Sequence, residues 1–280
     1  MRRAYISLLT TDSYLPGILG LAYSVRATQS RYELEVLVTP GVNPETRAAL
    51  SLHGIPWMEV TNLENPTDVS IHHRWHRTYS KLHAFGLTKY EKLVFLDADI
   101  LVLQNIDALF ECDHMSGVDS GSMLPECANW TDVNSGLLVV IPNAAVFSDM
   151  VARIGRIGKL SSGGTADNPR AGSDQDFINA YYPDWSQCTR LHLDHKYNML
   201  HYHLDRYNRM FGYGLESTGR QVSVVHFASY LKPWNLPVET IKRLALSIDL
   251  SLEERALRLW ADKYGLIRSR TGFDTPTVWC

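Results

Sequence analysis

The chain has 280 residues, 45% of them apolar, which is enough to bury the core of one large α/β domain. A net charge of −3 excludes the concentrated positive face of a nucleic-acid binder. No stretch approaches the roughly 18 apolar residues of a membrane span, and Cys112, Cys127, Cys188 and Cys280 are too widely spaced for a zinc site or disulfide framework, so a reducing, cytoplasmic setting with no membrane partner is expected.

Residues 4–9 predict a buried strand, and the short apolar run breaks at Thr10-Thr11-Asp12 before it could act as an export signal. A helix follows the polar turn, with Ile18, Leu19, Leu21, Ala22 and Val25 as its apolar face. Residues 34–39 predict a second strand. Asn43 and Pro44 open a second helix, Gly54 closes it, and residues 57–60 form a third strand. This βαβαβ order implies a parallel sheet with right-handed crossovers. Ligands of such sheets gather at the carboxyl ends of the strands, which places Thr10, Thr11 and Tyr14 at the rim. Tyr14 there is either a platform for a base or an ordinary helix-entry tyrosine.

Residues 71–82 are dense in basic and aromatic groups: His72, His73, Arg74, Trp75, His76, Arg77, Tyr79 and Lys81. They lack zinc-ligand spacing. Arg74 and Lys81 are the candidates for neutralising a diphosphate or holding a sugar. Next comes the apolar run 92–102, broken at Asp97-Ala98-Asp99. Two carboxylates at one buried strand end repel unless one is protonated or a cation lies between them. Both haloacid-dehalogenase-type phosphatases and nucleotide-sugar transferases use such a pair, but the phosphatase strand opens its domain. Here about ninety residues precede it.

Residues 105–110 predict a short helix. Asp132, Asn134 and Ser135 stand before a strand at 137–141, a helix spans 144–157, and the Gly/Ser-rich stretch 161–173 is expected to be a mobile lid. Ser173 caps a helix ending near Tyr181, with Asp174 either favouring its dipole or facing a ligand. A strand at 222–227 carries His226, either a satisfied core histidine or a third ligand to a cation on Asp97 and Asp99. Ser251 and Glu254 form a capping box for a helix through Tyr264, so residues 1–265 are one domain and 266–280 a flexible tail.

Several pieces then match in order: Leu9-Thr10-Thr11 with Tyr14; Arg74 followed by Thr78-Tyr79-Ser80-Lys81-Leu82; Phe95-Leu96-Asp97-Ala98-Asp99; Asn134-Ser135-Gly136; Asp174-Gln175; Tyr197-Asn198; and His226-Phe227 leading to Lys232-Pro233-Trp234. On these residues the chain resembles the glycogenin-like branch of family 8 retaining glycosyltransferases, from residue 4 to about 236. The resemblance implies a Rossmann-like GT-A fold, an α/β architecture with a mixed, mostly parallel sheet between helices. It implies a UDP-sugar donor and Mn2+, with Mg2+ as the alternative, held by Asp97, Asp99 and His226. Lys232 would contact the diphosphate and Leu9, Thr10, Thr11 and Tyr14 the uridine. Lys81, Asn134, Asp174 and Gln175 would surround the sugar, with Arg74, Ala98, Asp132, Ser135 and Ser229 completing the donor contacts.

Ser229 replaces a glycine of the family's phosphate loop and puts that loop's geometry in question. Lys81, Asp174 and Gln175 are the catalytic candidates, Asp174 as nucleophile or electrostatic group; front-side attack remains open. The position matching the tyrosine that glycogenins glucosylate on themselves is Asp205, with Tyr202 and Tyr207 close by. An external acceptor is therefore expected, a carbohydrate or glycoprotein such as the ubiquitin-ligase-adaptor glycan that protist members of this branch extend with an α-linked hexose. A self-glucosylating primer, a galactinol-synthase-like enzyme and a non-catalytic UDP-sugar-binding module are the alternatives. The donor hexose is glucose or galactose, and the resemblance implies a homodimer.

Overall fold

The computed structural model describes residues 2–65, 77–121, 123–161, 172–216, 219–230 and 232–271. Arg74, the histidines at 72, 73 and 76, nearly all of the expected lid and the last nine residues lie outside them.

The first half builds as its periodicity predicts. β1 (Arg3–Leu9), α1 (Leu15–Ala27), β2 (Leu34–Val38), α2 (Pro44–Leu52) and β3 (Trp57–Glu59) form parallel units, with β2 between β1 and β3. The Asn43 side chain accepts the Thr46 N–H at 2.7 Å and caps α2. Gly54, at φ +62°, supplies the left-handed turn beyond that helix. β4 (Lys92–Leu96) adds to the other side of β1 in parallel.

The apolar run 92–102 does not continue as one strand. It turns at Asp97-Ala98-Asp99, where the Asp97 N–H donates to Gly136 O and the Ile100 N–H to Asp97 O. Its second half, β5 (Ile100–Val102), belongs to a different sheet. β6 (Gly117–Asp119) and β7 (Val133–Val140) complete the main sheet in the order β3-β2-β1-β4-β7-β6, with β7 antiparallel to both neighbours. Asn134 and Ser135 lie inside β7 rather than before it. The next residue, Gly136, ties the strand to the acidic turn, and the Ser135 N–H is taken by Gln175 Oε1.

α3 (Ala144–Ser161) runs beyond residue 157, and α4 (Asp174–Tyr181) starts at a capping box between Ser173 and Asp176. β8 (Met199–Leu200) leads into α5 (Leu204–Phe211), then β9 (Tyr213–Gly214) and β10 (Arg220–Gln221) pair as a small ribbon. β11 (Val224–His226) pairs antiparallel with β5 and parallel with β8, which sets His226 opposite Ile100. The small sheet thus returns the late histidine to the acidic turn.

α6 (Val238–Leu246) and α7 (Leu252–Thr271) close the chain. Ser251 and Glu254 exchange the bonds of the expected capping box. α7 continues past Tyr264 and Gly265, the end expected from its pattern, and buries Ala256, Trp260 and Tyr264 at helical spacing. Among the described residues no helix is long and apolar enough to cross a membrane.

Behind the main sheet, Asp107 ties three segments together. Its carboxylate accepts from Tyr5 Oη, Ser30 Oγ and the Arg31 N–H. Burial opposes its charge, but those donors outweigh it and hold its pKa below the ordinary value. Asp107→Ala strands a buried tyrosine hydroxyl, so urea unfolding is expected to show a loss of about 2–3 kcal/mol. A loss below about 0.5 kcal/mol, the usual surface value, contradicts this.

Candidate active site

The carboxyl ends of β1 and β4, the polar start of β7, the first turn of α4 and the segment after β11 surround one cavity of about 700 Å³. Thr10, Thr11, Tyr14, Lys81, Asp97, Ala98, Asp99, Asn134, Ser135, Asp174, Gln175, His226 and Lys232 line it. Leu9 is fully buried in the core beneath, and its neighbour Leu8 faces the cavity instead. Asp132 sits half-buried just before β7, and Ser229 half-buried on the loop beyond Ala228.

Two buried charge clusters meet at the acidic turn. On one side, Lys81 Nζ reaches Asp174 Oδ2 at 2.7 Å, Asp97 Oδ1 at 2.9 Å and Ser135 Oγ at 3.0 Å. Burial opposes the Lys81 charge, but the carboxylates of Asp174 and Asp97 outweigh it and lift its pKa above the lysine norm. Ser135 also donates its Oγ–H to Asp174 Oδ2 and its backbone N–H to Gln175 Oε1. Gln175 therefore keeps its amide nitrogen as the donor it can offer the cavity.

On the other side, Lys232 Nζ donates to Asp99 Oδ2 and to Phe227 O at 2.8 Å. His226 Nε2 lies 3.2 Å from Asp99 Oδ1 and 3.9 Å from Asp97 Oδ2. Burial disfavours the Asp99 charge, yet His226 and Lys232 reverse this and depress its pKa well below the carboxylate range. Asp97 moves the other way, mainly through burial.

These groups fit a cation. One ligand atom from each of Asp97, Asp99 and His226 lies within 4.8 Å of the others. The Asn198 amide nitrogen donates to Asn134 Oδ1, which leaves Asn198 Oδ1 as acceptor for the His226 Nδ1–H at 2.9 Å. That bond makes Nδ1 the donor and leaves Nε2 as the ring nitrogen that faces both carboxylates. A proton on Nε2, or a cation in its place, supplies the positive charge that the two converging acids need.

Asn198 gave only a motif match in the sequence and no role, because the partner it orients is 28 residues away. Asn62 and Glu64 also line the cavity without a local signal, Arg77 comes from the basic cluster in which Arg74 and Lys81 are the candidates, and Thr78 falls inside the matched stretch before Lys81. His201 rests against Phe227 at 5.2 Å and His195 pairs with Asp119 at 3.3 Å, and neither belongs to the converging group of Asp97, Asp99 and His226.

The description "Glycosyl transferase family 8" matches residues 5–119. Glycogenin-1 of Oryctolagus cuniculus is 30% identical over 85% of this chain and 67% of its own length. The chain belongs to glycosyltransferase family 8. Inositol phosphorylceramide glucuronosyltransferase 1 of Arabidopsis thaliana is 34% identical over 65% of the chain, a match that spans 30% of that larger relative. Among solved structures, the galactosyltransferase LgtC with donor and acceptor sugar analogues has a TM-score of 0.60 at 17% identity, covering 94% of this chain and 95% of the other. GlyE of Streptococcus pneumoniae gives 0.58 at 16% identity, over 97% of this chain and 64% of its own. The fold is GT-A, as the resemblance implied. Within this family 8 chain, the two late pieces of the site, Asp174-Gln175 and His226 with Lys232, lie beyond the span of the family match.

Proposed function

We propose that the chain is a retaining, manganese-dependent transferase that moves glucose or galactose from its UDP donor to an external acceptor as an α-linkage. The carrying observation is the convergence of Asp97, Asp99 and a tautomer-fixed His226, with Lys232 beside them, at the strand ends of a GT-A sheet. Two carboxylates and an imidazole suit manganese better than magnesium. Bound there, the cation supplies counter-charge to the departing diphosphate.

Lys232 adds a preorganised ammonium where negative charge grows as the sugar–phosphate bond breaks. Across the cavity Lys81 and Ser135 hold the Asp174 carboxylate in place. Asp174 then stabilises an oxocarbenium-like sugar or attacks its far face, and Gln175 offers an amide to the sugar. The three carboxylates of the two clusters exceed their two ammonium groups by one negative charge, so the site favours a cationic addition.

Support for an external acceptor comes from α5. Asp205, at the glycogenin acceptor position, accepts the Leu252 N–H at 2.9 Å and so helps start α7. Tyr207 is buried, and its hydroxyl is taken by the Met123 N–H and by His195. Tyr202 is 41% exposed and is the nearby tyrosine a primer would use. A protein-linked glycan in the cytoplasm is the acceptor class proposed, with the enzyme acting as a homodimer.

Incubation with UDP-glucose or UDP-galactose and manganese is expected to release UDP and free hexose, water taking the sugar in place of the acceptor, while the intact mass of the chain stays unchanged. A ladder of hexose additions abolished by Tyr202→Phe converts the enzyme into a primer. No UDP release from either donor overturns the transferase reading.

A further inference from the structure

We infer that the C-terminal helix positions the donor-binding groups and that Trp260 is its positioning residue, an inference that rests on the transferase reading above. Lys232 opens a tight turn, Pro233–Asn235, closed by the Asn235 N–H on Lys232 O at 2.9 Å. Trp234 anchors that turn and is 1% exposed. Its ring meets the edge of Tyr14 at 5.3 Å and Trp260 at 5.8 Å, and Trp260 stacks on Tyr264 at 5.0 Å. An aromatic column thus runs from α7 to the two groups assigned to the base and the diphosphate, Tyr14 and Lys232.

α1 is notched to receive this column. A methyl group at Gly20 would stand 2.7 Å from Trp260 Nε1. At Gly17 it would stand 2.7 Å from the Trp234 ring and 2.5 Å from the carbonyl oxygen of Ala98, between the two acidic ligands. The acidic turn, the lysine turn and α7 therefore close on one face of α1 without slack. Side chains so placed transmit displacement because a packed interior has no room to absorb it.

Loss of the Trp260 ring leaves a void beside Trp234, and the lysine turn relaxes toward it. Lys232 and Tyr14 shift with the turn, whereas Lys81, Asp174 and Gln175, on other elements, do not. Donor and UDP affinity fall, and turnover falls with them, because Lys232 also meets the charge that grows on the departing diphosphate.

The test compares Trp260→Ala, Trp260→Phe and Leu244→Ala by UDP calorimetry with manganese, steady-state kinetics and thermal melting. Leu244 is buried on α6 and outside the column. Trp260→Ala is expected to weaken UDP binding and raise the donor KM about ten-fold, with a fall in kcat from the displaced Lys232. Trp260→Phe, which keeps a ring against Trp234, should recover all but about three-fold of that loss. Leu244→Ala should lower the melting temperature and leave UDP affinity unchanged.

UDP affinity at the unaltered level in both Trp260 variants overturns the inference. So does an equal fall in Leu244→Ala. If Trp260→Ala does not fold, Trp260→Phe decides: weaker UDP binding supports the column, and full affinity overturns it. Failure of the unaltered chain to bind UDP overturns instead the transferase reading on which the inference stands.

Discussion

Asp99→Asn is expected to lower kcat/KM by about three orders of magnitude, with the melting temperature kept within a few degrees. Asp99 is clamped between His226 Nε2 and Lys232 Nζ, and these neighbours keep it ionised in spite of its burial. Asparagine keeps the shape and one oxygen for Lys232 but removes the charge that a divalent ligand must supply. Alanine is the poorer test. It leaves the Lys232 ammonium, 7% exposed, with no carboxylate beside it, and an uncompensated buried charge of this kind costs about 3–5 kcal/mol. Activity should therefore be measured on the asparagine variant across a manganese titration, with melting recorded alongside. Retained turnover at unchanged manganese dependence would show that Asp99 is no ligand.

The difference between the two clusters explains what could be seen in the sequence. Asp97 and Asp99 are legible because repulsion within one short segment is a local problem with a local remedy. The parallel half of the sheet is legible for a similar reason: each strand, cap and turn of residues 3–59 is written in its own neighbourhood. His226 is visible as a candidate only because a divalent site on two acids needs another ligand. Its actual delivery depends on β5 leaving the main sheet to pair with β11; the two acids mark where the run 92–102 is interrupted, but its apolar second half gives no hint that it joins a different sheet.

Hydrophobicity reports burial, not which sheet does the burying. The same limit hid Asn198 as the orienter of His226, and Trp260, whose contacts are with Gly20 and Trp234, far off in the chain. Lys81 and Asp174 were legible as family positions. Their shared hydrogen bonds through Ser135 were not, because three separate elements meet there.

Gly136 supplies the second large effect. It lies in β7, where its carbonyl accepts the Asp97 N–H at 2.8 Å and its own N–H donates to Asn134 Oδ1 at 2.9 Å. Its backbone is not in the left-handed region, so alanine meets no conformational penalty there. The obstacle is the imidazole: an added methyl would stand 2.4 Å from His226 Cε1 and 2.8 Å from Nδ1. His226 cannot yield without losing Asn198 Oδ1, which fixes its tautomer, or turning Nε2 away from Asp99 and Asp97. Gly136→Ala is therefore expected to weaken manganese binding about 10–100-fold and to lower kcat/KM by a similar factor. Asn198→Ala acts on the same imidazole at the same nitrogen, Nδ1, so the double variant should lose less than the sum of the two single free-energy changes. Manganese titrations on all three variants distinguish this from simple overpacking. A merely structural clash predicts lower stability with metal affinity intact, and that outcome would remove His226 from the ligand set.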